Sequence, residues 1–379
     1  VRPVVAVALA ALALAAGACD TTEVTSEGRA VARAVVPPTA SQDVDLPRAA
    51  AAPPAGEGLG SGKPVTFAFA GDVNFEGTPG AILAEDPAEL LSGVAGALDA
   101  DLTMVNLETA VTERGEAAPK EFNFRAPAAA LAALRGAGVD VVTLANNHGM
   151  DFGEEGLADT LAAAADPADG LPVVGAGAHE AEAYAAHRVR VRGQRISILA
   201  ASRVTDGHLV GPWTATADGP GLAVAEDPSR LLEAVRAERP AADTLVVYLH
   251  WGRERVDCPI ADQPEIADAL IDAGADVVVG SHAHLPLGGG LREGAYVHYG
   301  LGNFLFGSAV GPTAESGVLR LTLTGHRVDA ADWVPVRLSS GVPAILTGTD
   351  AIAARADWEA LRACAGLAPG VERTGAVRA

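Results

Sequence analysis

The chain has 379 residues, is 49% hydrophobic and carries 27 basic against 48 acidic side chains, a formal net charge of −21. That apolar fraction supports a sizeable core and excludes wholesale disorder. The acidic balance excludes a general nucleic-acid footprint, which needs basic patches, and leaves an anchor as the only way to hold the chain at an anionic membrane.

Arg2 is followed by an apolar run over residues 4–18, too short to span a bilayer comfortably but suited to the core of a secretory signal. The run ends in Ala16-Gly17-Ala18-Cys19, which resembles a bacterial lipobox with Cys19 as the lipidated residue. The expectation is a signal segment over 1–19 and a product exported to the extracellular face of the membrane. Plain secretion and an uncleaved anchor are the alternatives. Residues 20–62, with Pro37-Pro38, Pro53-Pro54 and a Gly-rich end, read as a flexible tether.

The expected folded domain covers 63–340. Strands are expected at 65–70, 102–105, 139–144, 196–200, 245–249 and 277–279, with helices at 87–98, 128–134, 231–237 and 266–273 between them. Such alternation predicts an α/β fold of parallel βαβ units. Segments 296–299, 318–323 and 333–337 read as strands joined by short turns, an antiparallel portion. Residues 341–379 are expected to be a C-terminal helix, near 358–364, and a polar tail.

Five of these strands end in metal-competent side chains: Asp72 and Asn74; Asn106 and Glu108; Asn146, Asn147, His148 and Asp151; His250 and Glu254; His282 and His284. In an open α/β sheet the carboxyl ends of the strands line one crevice, so these residues converge. Asp72, Glu108, Asn147, His250, His282 and His284 form the candidate metal set. Imidazole and carboxylate without thiolate suit Mn, Fe or Zn. Six ligands exceed what one tetrahedral ion uses, so two divalent ions are expected, about 3.5–4 Å apart across a bridging carboxylate. His282 and His284, two apart on an extended strand, are expected to present both rings to one face.

Seven segments, in this order, resemble the calcineurin-like metallophosphoesterase fold, and more closely the bacterial poly-γ-glutamate capsule-synthesis family of CapA type. They are Ala70-Gly-Asp-Val-Asn-Phe75, Val105-Asn-Leu-Glu-Thr109, Leu144-Ala-Asn-Asn-His148 with Asp151 and Gly153, Val174-Gly-Ala-Gly177, His250-Trp-Gly-Arg-Glu254, Gly280-Ser-His-Ala-His284 and Tyr299-Gly-Leu-Gly-Asn-Phe304. The resemblance implies a four-layer αββα sandwich with mixed sheets. It implies Asp72 and His284 on one ion, Asn147, His250 and His282 on the other, and Glu108 between them. His148 becomes the general acid or charge stabiliser. Asn74, Asn106, Asp151, Glu254 and Asn303 fall in a second shell or on substrate. Asn74 stands where a metallophosphoesterase usually has His, which weakens the expected hold on the first ion.

By this resemblance the chain takes part in synthesis, anchoring or trimming of an anionic polymer, with a membrane synthase as a further expected partner. If catalytic, it is a metal-dependent hydrolase of a phosphoester or an isopeptide. The alternatives are an extracellular phosphodiesterase or nucleotidase, and a non-catalytic accessory lipoprotein that binds polymer or synthase. Arg253 and Arg255 either receive an anion or pair with local carboxylates. Gly175 and Gly177 read as a turn. Cys258 and Cys364 either pair or stay free. His179, His187, His208, His298 and His326 lie outside the set, His298 nearest to it because Gly302-Asn303 follows.

Overall fold

Strand β1 (Val65–Val73) sets the pattern of the molecule. Phe67 and Phe69 serve one core, Ala68 and Ala70 another, and all four are fully buried. This is the two-residue period of a strand covered on both faces. In the computed structural model, which describes residues 59–369, three more strands of the two large sheets follow in the first half: β2 (Leu102–Leu107), β3 (Val141–Thr143) and β4 (Val173–Val174). Six come next: β5 (His187–Val191), β6 (Gln194–Ser202), β7 (Thr244–His250), β8 (Val277–Ser281), β9 (Gly289–Arg292) and β10 (Ala295–His298). Four close the chain: β11 (Asn303–Leu305), β12 (Glu315–Thr324), β13 (Arg327–Ser339) and β14 (Val342–Ile345).

The first sheet has the order β14-β13-β12-β1-β2-β3-β4, with β11 alongside the end of β1. It is parallel from β1 to β4 and antiparallel from β1 through β12 to β14. The second sheet has the order β9-β10-β8-β7-β6-β5, parallel from β10 to β6 and antiparallel at both edges. The larger helices are α1 (Thr78–Glu85), α2 (Ala129–Gly136), α3 (Gly153–Ala164), α4 (Ser229–Glu238), α5 (Asp262–Ala273) and α6 (Gly348–Ala360).

Three apolar layers fix the architecture. Phe67, Phe69 and Met104 of the first sheet meet Ile198, Val246, Tyr248 and Val279 of the second in a shared core. Ala68, Val105 and Val142 pack under Leu83 of α1, Leu131 and Leu134 of α2 and Leu157 of α3. Leu245, Val247 and Val278 pack under Leu231 and Val235 of α4 and Ile266 and Leu270 of α5. Helix, sheet, sheet, helix is the expected αββα sandwich. Tyr248 donates its hydroxyl to Ala70 O at 3.0 Å across the middle layer, so the sheets are tied just below the ends of β1 and β7.

Several expectations are corrected. The segment 87–98 is not one helix but two 3-10 turns, Pro87–Glu89 and Ser92–Val94, and a short helix, Ala95–Leu98. Gly93 and Gly96 weaken a helix there, and a Cβ at Gly93 would stand 2.9 Å from Pro343 O, so the segment follows the edge strand instead. The division at 340 falls inside the β13–β14 hairpin. The chain beyond it stays in the same body, because Trp358 of α6 is buried against Trp333 and His298 at ring separations of 5.1 and 5.7 Å. The last long helix also begins ten residues earlier than 358. Cys258 and Cys364 form a disulfide, Cα atoms 5.7 Å apart. Cys19, the expected signal segment, most of the expected tether and the end of the tail lie outside the described residues. Among the described residues no helix is long and apolar enough to cross a membrane.

Candidate metal centre

The carboxyl ends of β1, β2 and β3 in one sheet and of β7 and β8 in the other bring the expected residues to one crevice. Close backbone approach there excludes side chains at two positions. A Cβ on Gly71 would lie 1.8 Å from Gly302 O, and one on Gly280 would lie 2.0 Å from Trp251 Nε1. The expected strand geometry of His282 and His284 is corrected. β8 stops at Ser281, and the two histidines follow in left-handed backbone with φ of 98° and 56°. Non-glycine residues avoid this region, and strain of this kind is held where the surroundings over-determine it.

Glu108 is fully buried, and neither of its carboxylate oxygens has a hydrogen-bond partner among the described residues. Around it lie two groups of potential ligand atoms that share its carboxylate: Glu108, His250 and His282, and Asp72, Glu108 and His284, with ligand atoms in each group within 4.8 Å of one another. His250 Nε2 is 3.5 Å from Glu108 Oε1, 3.1 Å from His282 Nδ1 and 2.7 Å from Asn147 Oδ1. His284 Nδ1 lies 3.3 Å from Asp72 Oδ2 and 2.8 Å from Asn303 Oδ1. An orphaned buried carboxylate among converging lone pairs fits a cation between them.

Supporting polar groups aim these atoms. Asn106 Nδ2 donates to Asp72 Oδ1 at 2.8 Å, and Asn146 Nδ2 donates to Asn106 Oδ1 at 2.9 Å. His250 Nδ1 is 3.2 Å from Ser281 Oγ and 3.1 Å from Asn106 Nδ2, and these two groups hold the ring with Nε2 turned to the cluster. His282 N donates to Asp72 Oδ2 at 3.2 Å, and Asn303 Nδ2 donates to Thr313 O at 3.0 Å. Asn74 is buried, but its Oδ1 accepts from Glu76 N at 3.2 Å in a local turn.

Burial and then the neighbouring Asp72 charge push the Glu108 carboxyl well above its ordinary value. Burial and the other histidines push His250 well down, and His282 down to about 3. Burial opposes charge on His284, yet its hydrogen bond to Asp72 and the nearby carboxylate charges raise it to about 9. Neutral His250 and His282 are the ligand form of imidazole.

His148 sits beside the cluster with Nδ1 2.7 Å from Asp151 Oδ2, its ring stacked on Phe124 at 4.1 Å. Burial lowers its pKa against the pull of Asp151. Lys120 completes this group. Its Nζ lies 2.6 Å from Asp151 Oδ1 and 3.2 Å from His148 Nδ1, donates to Asn147 O, and stands 5.1 Å from the Trp213 ring centroid. Sequence reasoning missed Lys120. The available signal was its rarity, since it is one of only two lysines in the chain.

Glu254 is exposed and lines a cleft with His282 and Asn147. Arg253 and Arg255 have no side-chain partner among the described residues, which leaves them open to an anion. His298 does not approach the site; it is buried between Trp333 and Trp358 in the middle layer. Gly175 makes a turn with φ of 81°.

A protein-family model described as "Bacterial capsule synthesis protein PGA_cap" matches residues 66–308. The chain belongs to this family. The matched span holds every residue of the cluster from Asp72 to Asn303. Among curated relatives, the chain is similar to the "Capsule biosynthesis protein CapA" of Bacillus anthracis, 33% identical over 234 residues, 61% of this chain and 55% of that one. It is also similar to the "PGA biosynthesis protein CapA" of Bacillus subtilis, 29% identical over 248 residues, 64% of this chain and 63% of that one. The chain thus spans a little over half the length of these capsule-synthesis relatives. Among solved structures, a hypothetical protein from Thermus thermophilus aligns over 72% of this chain and 100% of its own at 19% identity, with a TM-score of 0.46.

Proposed function

We propose that the chain is an exported family member that acts in synthesis, anchoring or trimming of an anionic extracellular polymer, poly-γ-glutamate by family, through a site for two divalent ions of the Mn, Fe or Zn class. The observation that carries this reading is the buried, donor-free carboxylate of Glu108 between two sets of ligand atoms. Asp72, Glu108 and His284 would hold one ion, and Glu108, Asn147, His250 and His282 the other. When bound, such ions supply Lewis-acid polarisation of a carbonyl or phosphoryl oxygen and a water activated near neutral pH.

The chain's own residues do the rest. Asn106 and Ser281 orient Asp72 and His250. Asp151 holds His148 by Nδ1, so proton traffic runs through Nε2. Lys120 fixes Asp151 and the Asn147 carbonyl from the opposite side. Substrates of this reading are the polymer itself or a phosphoester, with a membrane synthase as a proposed partner. The engagement of Asn74 in its own turn favours, as second reading, an accessory that binds polymer without cleaving it.

The Cys258–Cys364 disulfide supports export, because such bonds persist in oxidising compartments. Cys19→Ala is expected to release the protein from membranes or to block its processing; unaltered partitioning removes the lipid anchor from this reading. The deciding experiment is metal content after loading with Mn, Fe or Zn. About two ions per chain supports the binuclear site and warrants substrate screening. One ion or none overturns it and leaves the accessory role.

A further inference from the structure

Beside the metal centre lies a cleft of about 340 Å³, lined by Asn147 and His282 of the cluster, by Val204, Thr205 and Asp206 after β6, and by Gly252, Arg253 and Glu254 after β7. This is the size of a small-ligand site. Both walls are pinned. Arg203 N donates to His250 O at 2.8 Å, its guanidinium reaches Glu226 O and Asp262, and Ser202 Oγ donates to Val204 O at 2.6 Å. On the other wall Trp251 Nε1 donates to Tyr299 O at 2.9 Å, Arg255 N donates to Ala283 O at 2.8 Å, and Cys258 is disulfide-bonded.

Within these walls Asn147 Oδ1 and His282 Nδ1 meet His250 Nε2 at 2.7 and 3.1 Å, but four further polar side chains lack partners among the described residues. Thr205 Oγ1 is buried with no hydrogen bond. Arg253 pairs with no carboxylate among the described residues, whereas Arg114, Arg188, Arg195, Arg239 and Arg292 each hold one. The side chains of Asp206 and Glu254 accept no side-chain or backbone donor among the described residues. The set is a cation and a hydroxyl, which suit a carboxylate, and two solvent-exposed carboxylates, which suit N–H donors. A phosphoester offers no such donors, and two carboxylates repel its denser charge.

We propose that this cleft is a subsite for one residue of a carboxylate-bearing, amide-linked chain. Arg253 and Thr205 take its carboxylate, while Asp206 and Glu254 take its amide or amino N–H groups. The proposal rests on the reading of the neighbouring cluster as the centre that acts on the same chain.

The test is calorimetric titration of the full chain, loaded with Mn, with a γ-linked glutamate trimer and, separately, with inorganic phosphate. Arg253→Gln and Thr205→Val are each expected to weaken trimer binding about tenfold or more, the worth of one charge-assisted or buried hydrogen bond, at unchanged Mn content and melting temperature. Phosphate is expected to bind weakly and to be indifferent to Thr205→Val. Wild-type trimer affinity in both variants, no trimer binding by the wild type, or phosphate binding that Arg253→Gln weakens as much as it weakens the trimer's overturns the subsite. Mn counted in the same samples separates the two readings. Full Mn with unaffected trimer binding removes only the cleft, whereas absent Mn with trimer binding still lost in Arg253→Gln removes only the metal centre.

Discussion

Glu108 Oε1 lies 3.5 Å from His250 Nε2, and neither oxygen of the Glu108 carboxylate has a hydrogen-bond donor among the described residues. A buried, uncompensated carboxylate costs several kcal/mol until a cation joins it. Glu108→Gln removes that charge and keeps the shape. Without metal the variant is expected to melt above the wild type, and with metal below it. The sign follows from the raised carboxyl: above the unfolded value of about 4.3 the folded state still holds its proton, so metal-free wild type loses stability as pH rises. The variant's metal-free advantage should therefore grow from acid toward neutral pH. Thermal melts with chelator and with Mn check it, and equal metal stabilisation in both proteins would remove Glu108 from the site.

His282 combines a proposed ligand position with a strained backbone, φ 98°. His282→Ala deletes the imidazole and keeps the strain; His282→Gly deletes it and relieves roughly 1 kcal/mol or more. Both are expected to hold less metal without unfolding, and the Gly variant should melt above the Ala variant. Metal analysis beside thermal denaturation separates the two effects. Undiminished metal in His282→Ala would show that this ring is no ligand.

The strand ends were legible because both faces of β1, β7 and β8 are covered. Apolar runs there stand out, and the polar residues that follow mark the crevice. What sequence could not give was the backbone past β8. Alternation assigned His282 and His284 to one strand face, yet the turn that carries them is set by Gly280 packing on Trp251 and by Asp72 accepting from His282 N. Lys120 was hidden for a similar reason. It sits in a loop with only a two-residue ladder on either side, Ala110–Val111 with Arg125–Ala126, so no period pointed at it. The segment 87–98 misled because its apolar spacing is helical while its path follows β14.

Lys120 and Asp151 form a buried pair, with side chains 5% and 0% exposed. Lys120→Met strands the Asp151 carboxylate, which also accepts from Phe124 N at 2.6 Å. The expected cost is about 3–5 kcal/mol in urea unfolding. Adding Asp151→Asn should recover part of it, because the uncompensated charge goes too. Strict additivity of the two changes would mean that the pair contributes no coupling, and that Lys120 stands there for its hydrogen bond to Asn147 O and its packing on Trp213.

Far from the site, Glu238 of α4 reports the pH dependence of the second sheet. It is 4% exposed and accepts from Arg188 Nε at 2.8 Å and from Ser197 Oγ at 2.6 Å. Burial works to raise its carboxyl, but the Arg188 and Ser197 hydrogen bonds outweigh it and hold the group below its ordinary value. An acid held low contributes stability that is complete above the unfolded value of about 4.3 and is lost as pH falls through the lower folded value. Arg188 is largely exposed, so solvent screens part of the pair. Glu238→Gln is therefore expected to cost only about 1–2 kcal/mol at neutral pH. The gap from wild type should close as the acid end is approached, read from urea midpoints at about pH 7 and about pH 3. A gap of the same size at both pH values would mean that the charge of Glu238 contributes nothing and that its shape alone holds β6 to α4.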